Sequence, residues 1–177
     1  LCQTHKLVNL QNIITEYPDF PKKGILFRDI SPILKNPSAM AHCMDEFAKR
    51  YHANDVDVFA GIESRGFPIA CALALRYNKG MIMIRKQGKL PGATIKRSYT
   101  IEYGKATMEI QKTAINKDQR VVICDDLLAT GGTAKAAADL IERLGGQVTG
   151  FAFMVELTEL GGIKKISKYR TESLVRY

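Results

Sequence analysis

Two acidic residues and a loop of glycine and threonine follow a short apolar run in the second half of the chain. The run is Val121–Cys124, and it leads into Asp125 and Asp126 and then into the loop at 129–133. These mostly β-branched residues predict a buried strand, and Ala134–Leu144 predicts the helix that follows it. Glycines allow backbone N–H groups to converge on an anion, while threonine hydroxyls and the helix N-terminus add donors and a favourable dipole. The loop therefore predicts a phosphate site.

The acidic pair indicates what else the ligand carries. Asp125 and Asp126 would repel a phosphate, so we expect them to accept hydrogen bonds from hydroxyls or to hold a divalent cation. The predicted ligand is a phosphorylated sugar. No Lys-Ser/Thr follows the glycines and there is no Gly-x-Gly-x-x-Gly, so the motif is neither a P-loop nor a dinucleotide fingerprint. The alternative is an ordinary tight turn with a capping threonine.

This stretch resembles the phosphoribosyl-pyrophosphate (PRPP) binding motif of the type I phosphoribosyltransferases, in which an apolar run, two acidic residues and Thr-Gly-Gly-Thr occur in this order. The resemblance implies that Asp125 and Asp126 bind the ribose. It implies Mg²⁺ as the cofactor, held mainly by the substrate and in part by these two aspartates. The residues implied to bind the 5′-phosphate are Ala129, Thr130, Gly131, Gly132 and Thr133.

A second turn with glycine between a strand end and a helix start lies at 60–67. Its backbone donors and the guanidinium of Arg65 suit a pyrophosphate, because a guanidinium can bridge two phosphate oxygens. In the resembled family this is the pyrophosphate loop, held by a non-proline cis peptide that we expect between Glu63 and Ser64. The alternative is a surface arginine beside a helix cap.

Four further segments narrow the resemblance to the adenine phosphoribosyltransferases of that family. They lie at 27–32, 84–92, 98–104 and 155–158, and the resemblance runs from about residue 17 onward. It implies transfer of the 5-phosphoribosyl group of PRPP to N9 of adenine, with AMP and pyrophosphate as products.

The resemblance also implies roles in catalysis. Glu102 matches the proposed acid or base that exchanges a proton with the purine ring. Arg65 and Lys89 would neutralise the departing pyrophosphate. The resemblance implies that the pyrophosphate is also bound by Glu63, Ser64, Arg85, Lys86 and Tyr103. The four cationic residues form a basic cluster, which consists of Arg65, Arg85, Lys86 and Lys89. In the family, part of this cluster reaches the neighbouring subunit's site, so we expect a homodimer.

Adenine needs an apolar slot and an edge to which it can hydrogen-bond. We expect Phe27 to stack on one face of the ring and Leu157 to close the other. Backbone groups around Ile25 and Arg28 could read the amino edge, since a buried mismatched pair costs about 1–3 kcal/mol. The alternative for Phe27 is an ordinary core aromatic residue.

Strands and helices alternate along the chain, which predicts a Rossmann-like, mainly parallel β-sheet flanked by helices. The predicted helices are Leu7–Glu16, Ser38–Tyr51, Phe67–Tyr77 and Ala134–Leu144. The predicted strands are Val56–Gly61, Met81–Arg85, Ala106–Ile110, Val121–Cys124 and Val148–Val155. Residues 21–32 are predicted to be irregular or hairpin-like, within a small N-terminal hood over the base at about 1–34. The polar segment 86–104 predicts a mobile catalytic loop that excludes water.

Composition is typical of a globular domain, with 177 residues, 46% hydrophobic and 25% charged, so we expect a single domain over 1–177. No apolar run approaches the roughly 20 residues of a membrane span. The first residues lack the apolar core of a signal peptide, and the four cysteines form no framework, so we expect a cytoplasmic protein. The three histidines show no spacing typical of a zinc site. The net charge of +8 fits a polyanionic small molecule better than nucleic acid, since no basic helix stands apart.

Two other functions remain open at this stage. One is a phosphoribosyltransferase for hypoxanthine, guanine or xanthine, but the resembled 6-oxopurine enzymes place a lysine near the base where this chain has Leu157. The other is a PRPP-sensing regulator that has lost catalysis. We expect such a protein to carry a DNA-binding domain and to lack Glu102 and Lys89.

Overall fold

The computed structural model describes residues 9–101 and 104–177, which form a seven-stranded sheet with helices on both faces and a separate two-stranded sheet. The strands are β1 (Thr15–Pro18), β2 (Leu26–Asp29), β3 (Val58–Ile62), β4 (Gly80–Lys86), β5 (Thr94–Ile101), β6 (Gly104–Gln111), β7 (Arg120–Leu128), β8 (Gln147–Glu156) and β9 (Thr171–Arg176). The α-helices are α1 (Ser31–Leu34), α2 (Pro37–Arg50), α3 (Gly66–Tyr77) and α4 (Gly132–Arg143). Short 3-10 turns lie at Leu10–Asn12, Ala53–Asp55, Thr158–Leu160 and Gly162–Ile166.

Five neighbouring strands of the large sheet run parallel, in the order β4-β3-β7-β8-β9. β5 and β6 extend the β4 edge as an antiparallel hairpin. This arrangement confirms the predicted fold class. In sheets of this kind ligands bind beyond the carboxyl ends of the strands, so the loops that follow β3 and β7 are where a site is expected.

The alternating residues of β7 face two apolar cores, one on each face of the sheet. Val122 and Cys124 pack in the core that includes α2 and α3, whereas Val121 and Ile123 pack in the core that includes α4. All four are fully buried. A strand that is buried on both faces has an almost continuous apolar sequence. The strand predicted from the apolar run Val121–Cys124 is confirmed within β7.

The helix expected over Leu7–Glu16 is wrong for the part that the structure describes. Only the short 3-10 turn Leu10–Asn12 is helical, and Thr15–Pro18 forms β1. β1 pairs antiparallel with β2 along its whole length, from Thr15 opposite Asp29 to Pro18 opposite Leu26. Pairing with β2, the next strand along the chain, overrides the weak local helix pattern. The segment 21–32, predicted to be irregular or hairpin-like, contains β2, the second strand of this hairpin, whereas the first strand β1 precedes it. The role of this region as a hood stays a prediction.

The segment 86–104 is more regular than expected. Thr94–Ile101 forms β5, whose eight residues pair with β6 in continuous register. β5 is stabilised by its backbone pairing with β6 and by two contacts with α4. Nε of Arg97 lies 3.1 Å from Oδ2 of Asp139, and Nη1 of Arg143 donates to the carbonyl of Lys96 at 2.9 Å. Because most of its side chains are exposed, burial leaves little pattern in its sequence. That the segment moves stays a prediction.

Strand β9 was not predicted at all. It pairs in parallel with β8, and only Ser173 and Val175 of its residues are buried. The remaining predicted helices and strands are confirmed, with ends that shift by a few residues. β7 is the longer of the two motif strands and extends past the predicted Cys124 to Leu128, so it includes the acidic pair. In the described parts of the chain, no helix is long and apolar enough to span a membrane.

Candidate active site

A cavity of about 340 Å³ lies at the carboxyl ends of β3 and β7. Its lining includes the residues predicted for phosphate, ribose and part of the pyrophosphate. These are Glu63, Ser64, Arg65, Lys86, Asp125, Asp126, Ala129, Thr130, Gly131, Gly132 and Thr133. Tyr99 of β5 and Phe153 of β8 line it as well, and neither was singled out from the sequence. The structure therefore brings the two predicted anion loops into one cavity.

The loop 129–133 is shaped by its glycines and leads directly into α4. Gly131 has a φ of 77°, and a Cβ there would overlap the carbonyl of Gly162. Any side chain would therefore be both strained and in collision with backbone. Because the first amides of a helix lack partners within the helix, a loop at the start of α4 offers donors to an anion.

Asp126 is buried, Asp125 is half-buried, and Arg65 neutralises part of the charge of the pair. Asp126 is 5% exposed, and its Oδ2 accepts a hydrogen bond from Nε of Arg65. Its backbone N–H donates to Oδ1 of Asp125 at 2.9 Å. Burial and the charge of Asp126 raise the pKa of Asp125 well above its ordinary value. The pair therefore carries less negative charge than two separate carboxylates, which reduces the repulsion of a nearby phosphate.

Gly66 permits the contact between Arg65 and Asp126. A Cβ at Gly66 would overlap the carbonyl oxygen of Cys124, so α3 starts directly against the middle of β7. Arg65 precedes Gly66, and this close approach places its guanidinium over Asp126.

The peptide between Glu63 and Ser64 is cis, as expected from the resemblance. The carboxylate of Glu63 accepts from Nε and Nη2 of Arg85, both at 3.3 Å, and from the amide of Lys86 at 2.8 Å. Burial raises the pKa of Glu63, but these hydrogen bonds outweigh it and leave the pKa below its ordinary value. Glu63 is thus a partner of the basic cluster, and its contact with pyrophosphate stays a prediction.

The residues predicted for the base lie beside the cavity and do not line it. The guanidinium of Arg65 lies 5.2 Å from the ring centre of Phe27, and Leu157 donates its amide to the carbonyl of Leu128, a lining residue, at 2.9 Å. The amide of Ile25 donates to Lys22, and its carbonyl accepts from Phe20, so its backbone already has partners. Within the described residues, β2 pairs with another strand on one edge only, the edge it shares with β1.

Comparison with known proteins agrees with this geometry. Residues 29–175 match the family model described as phosphoribosyl transferase domain. The adenine phosphoribosyltransferase of Nitrosopumilus maritimus (strain SCM1) is 69% identical over 170 residues, which are 96% of this chain and 100% of that protein. The chain belongs to the adenine phosphoribosyltransferase family of enzymes.

Solved structures of this family share the fold. The crystal structure of the adenine phosphoribosyltransferase from Thermoanaerobacter pseudethanolicus has a TM-score of 0.92 at 46% identity and covers 95% of this chain and 98% of its own. That from Saccharomyces cerevisiae, in complex with an imino-altritol bisphosphate and adenine, has a TM-score of 0.89 at 39% identity, with 93% and 96% covered. Two of the family's predicted site residues, Glu102 and Tyr103, lie outside the residues that the structure describes.

Of the other predicted basic residues, Arg85 and Lys86 lie at the end of β4, and Lys89 lies in the loop that follows, which a buried carboxylate holds. Arg85 and Lys89 do not line the cavity, although Lys86 does. Oε1 of Glu109 accepts from the amides of Lys89 at 2.9 Å and Leu90 at 3.0 Å, and Glu109 is 2% exposed. Nη1 of Arg85 donates to the carbonyl of Lys89 at 3.2 Å. Sequence reasoning missed Glu109, although it is the one charged residue within the apolar strand predicted over Ala106–Ile110.

The described residues contain no cluster of three or more His, Cys, Asp or Glu side chains that could hold a metal ion. Asp125 and Asp126 nevertheless supply the oxygen donors that Mg²⁺ prefers. This ion commonly takes one or two carboxylates and completes its shell with substrate oxygens and water. The residues therefore fit an Mg²⁺ that is held mainly by the substrate.

We predict that Glu109→Gln lowers the free energy of unfolding at pH 7 by about 1 kcal/mol, because the hydrogen bonds of the Lys89 and Leu90 amides lose a charged acceptor. Burial raises the pKa of Glu109, but backbone hydrogen bonds from Leu90, Lys89 and Gly88 leave it below its ordinary value. The stabilisation is therefore present above the unfolded pKa and lost as the pH falls through the folded pKa. Denaturant unfolding at several pH values measures it, with exposed Glu159→Gln as control. A difference from wild type that does not shrink in acid would contradict the assignment.

Proposed function

We propose that this protein transfers the 5-phosphoribosyl group of PRPP to N9 of adenine and releases AMP and pyrophosphate. The observation that carries the proposal is the single cavity in which the loop 129–133, the acidic pair and the loop 63–65 meet. Family membership adds to it, since the relatives named above are adenine phosphoribosyltransferases. Family membership also argues against the two other functions, a 6-oxopurine enzyme and a PRPP-sensing regulator.

The ribose phosphate of PRPP is proposed to bind at the end of β7. The loop 129–133 would hold the 5′-phosphate with backbone amides and hydroxyls. Asp125 and Asp126 would accept hydrogen bonds from the ribose hydroxyls. The anomeric carbon would then face the loop 63–65.

The pyrophosphate is proposed to bind at the end of β3. The side chain of Arg65 is 50% exposed although it pairs with Asp126, so its outer nitrogens can reach a ligand. Lys86 lines the same cavity. Departure of pyrophosphate leaves a sugar centre with oxocarbenium character, and cationic side chains lower the cost of separating these charges. Mg²⁺, when bound through the pyrophosphate and the aspartates, would neutralise further charge on the leaving group.

Adenine is proposed to bind between Phe27 and Leu157, beside the edge of β2 that β1 leaves unpaired. The Saccharomyces cerevisiae enzyme was crystallised in complex with adenine, which supports the same base here. Backbone donors and acceptors of a strand edge have a fixed pattern, so they can distinguish the amino group of adenine from the oxo group of hypoxanthine.

The proposal is tested by incubating the protein with PRPP, Mg²⁺ and each purine base in turn, and by measuring the nucleotide formed. We expect AMP from adenine and little product from hypoxanthine or guanine. Asp126→Asn should weaken PRPP and AMP binding roughly tenfold or more, because a buried charged acceptor is lost, while the fold persists. Exposed Asp55→Asn is the control. Unchanged affinity for both ligands would refute the ribose assignment, and the absence of AMP in the wild type would refute the function.

Glu102 is proposed as the group that exchanges a proton with the purine ring. Among the described residues, Thr100 comes two positions before it, and the carbonyl of Thr100 lies 3.2 Å from where a Cβ on Gly132 would be. The end of β5 therefore contacts the phosphate loop. We predict that Glu102→Gln lowers the single-turnover rate by about 10²–10⁴-fold with near-normal PRPP affinity. A nearly unchanged rate would make Glu102 a positioning residue instead.

A homodimer is proposed from the exposed face of α3. Pro68, Cys71 and Leu75 are exposed and follow one another at helical spacing, and Leu75 is 78% exposed. An apolar stripe of this kind is typical of a surface that another chain covers.

We predict that the wild type has twice the 19.7 kDa chain mass in light scattering and that Leu75→Asp shifts it to the monomer mass, because a charge would be buried at the interface. Exposed Thr113→Asp, which lies outside α3, should stay dimeric. A wild type that is fully active as a monomer would contradict the proposal.

The cytoplasmic location stays a proposal. It is supported by the three described cysteines, Cys43, Cys71 and Cys124, which are free thiols.

A further inference from the structure

We infer that Tyr177 is a positioning residue that sets the width of the base slot, because it contacts both of the segments that bound this slot. The first is β2, which carries Phe27, and the second is 156–158, which carries Leu157. The inference rests on the proposed function, since that function places adenine between Phe27 and Leu157.

The side chain of Tyr177 holds β2 through Arg28. The guanidinium carbon of Arg28 lies 3.9 Å from the centre of the Tyr177 ring, close enough for a cation–π contact. On the other side, Nε of Arg28 lies 3.3 Å from Oε1 of Glu16, which belongs to β1. The Arg28 side chain is only 13% exposed, so this contact is largely withdrawn from water and is stronger than an exposed one.

The backbone of Tyr177 holds the opposite wall. Its amide donates to the carbonyl of Glu156 at 3.0 Å, and its carbonyl accepts from the amide of Thr158 at 2.9 Å. The hydroxyl of Thr158 donates to the same carbonyl at 2.6 Å. Leu157 lies between these two anchored residues, so its position is set relative to Tyr177.

Such a connection is needed because β1 and β2 form only a two-stranded sheet. An isolated pair of strands is marginally stable in water, so its position depends on what it packs against. Leu157 belongs instead to the segment that follows β8 of the large sheet. Tyr177 joins the two, and its loss would let the walls move apart without altering the phosphate loops.

A purely structural role for Tyr177 makes a different prediction. If the residue only stabilised the end of β9, its substitution would lower the free energy of unfolding and affect adenine and PRPP alike. If it sets the slot, the effect falls on adenine, since the PRPP residues lie on the loops after β3 and β7.

The test measures the KM for adenine, the KM for PRPP and kcat in Tyr177→Leu, Tyr177→Phe and the wild type. We expect Tyr177→Leu to raise the KM for adenine at least about fivefold while the KM for PRPP changes less than about twofold. Tyr177→Phe keeps the ring over Arg28 and should restore the adenine KM. Tyr169→Leu is the matched control, because it removes another ring–cation contact, with Lys168, just before β9, and it should not raise the adenine KM.

The possible failures are separable. A wild type that forms no AMP from adenine refutes the proposed function. In an active wild type, an unchanged adenine KM in Tyr177→Leu, or equal increases for adenine and PRPP, refutes the positioning role alone. An effect in Tyr177→Phe as large as that in Tyr177→Leu also overturns it, since the ring contact is then not the cause.

Discussion

The parallel pairing of β3 with β7 is the constraint on which the rest of the site depends. Gly61 lies opposite Cys124 in this pairing, so β3 ends beside the part of β7 that carries Asp125 and Asp126. The missing side chain at Gly66 lets α3 begin against β7, and Arg65 thereby reaches Asp126. A ligand that carries a phosphate at one end and a pyrophosphate at the other can then be held by two loops of one rigid sheet, without movement of either strand.

The same geometry explains how carboxylates are tolerated in a site for anions. Asp126 pairs with Arg65, Glu63 pairs with Arg85, and Glu109 accepts from backbone amides. The charge of Asp126 and burial raise the pKa of Asp125. Three of these acids are thus paired with a cation or with backbone amides, and the pKa of the fourth is raised, while the cationic Arg65 and Lys86 line the cavity.

The parts of the site that the sequence predicted share a local cause. Val121–Cys124 is buried on both faces, and the glycines at 131 and 132 follow within one short segment, so composition over a few residues is sufficient. What the sequence did not predict depends on pairing with other segments. β1, which overlaps the end of the helix predicted at Leu7–Glu16, forms because β2 pairs with it, and β9 forms because β8 does. The role of Glu109 is set by a loop about twenty residues earlier. Periodicity within one segment does not say which other segment pairs with it.

The proposed slot for adenine shows most clearly that sequence patterns do not predict contacts between separate segments, because its walls come from three separate places in the chain. β2, the segment 156–158 and Tyr177 meet only in the folded protein. The phosphate loops are positioned by a seven-stranded sheet, whereas Phe27 is carried by two strands that must be held from outside. In the proposed site, recognition of the sugar phosphates would therefore depend on the core of the fold. Recognition of the base would depend on a few contacts between the small sheet and the large one, which lie apart from the loops 63–65 and 129–133.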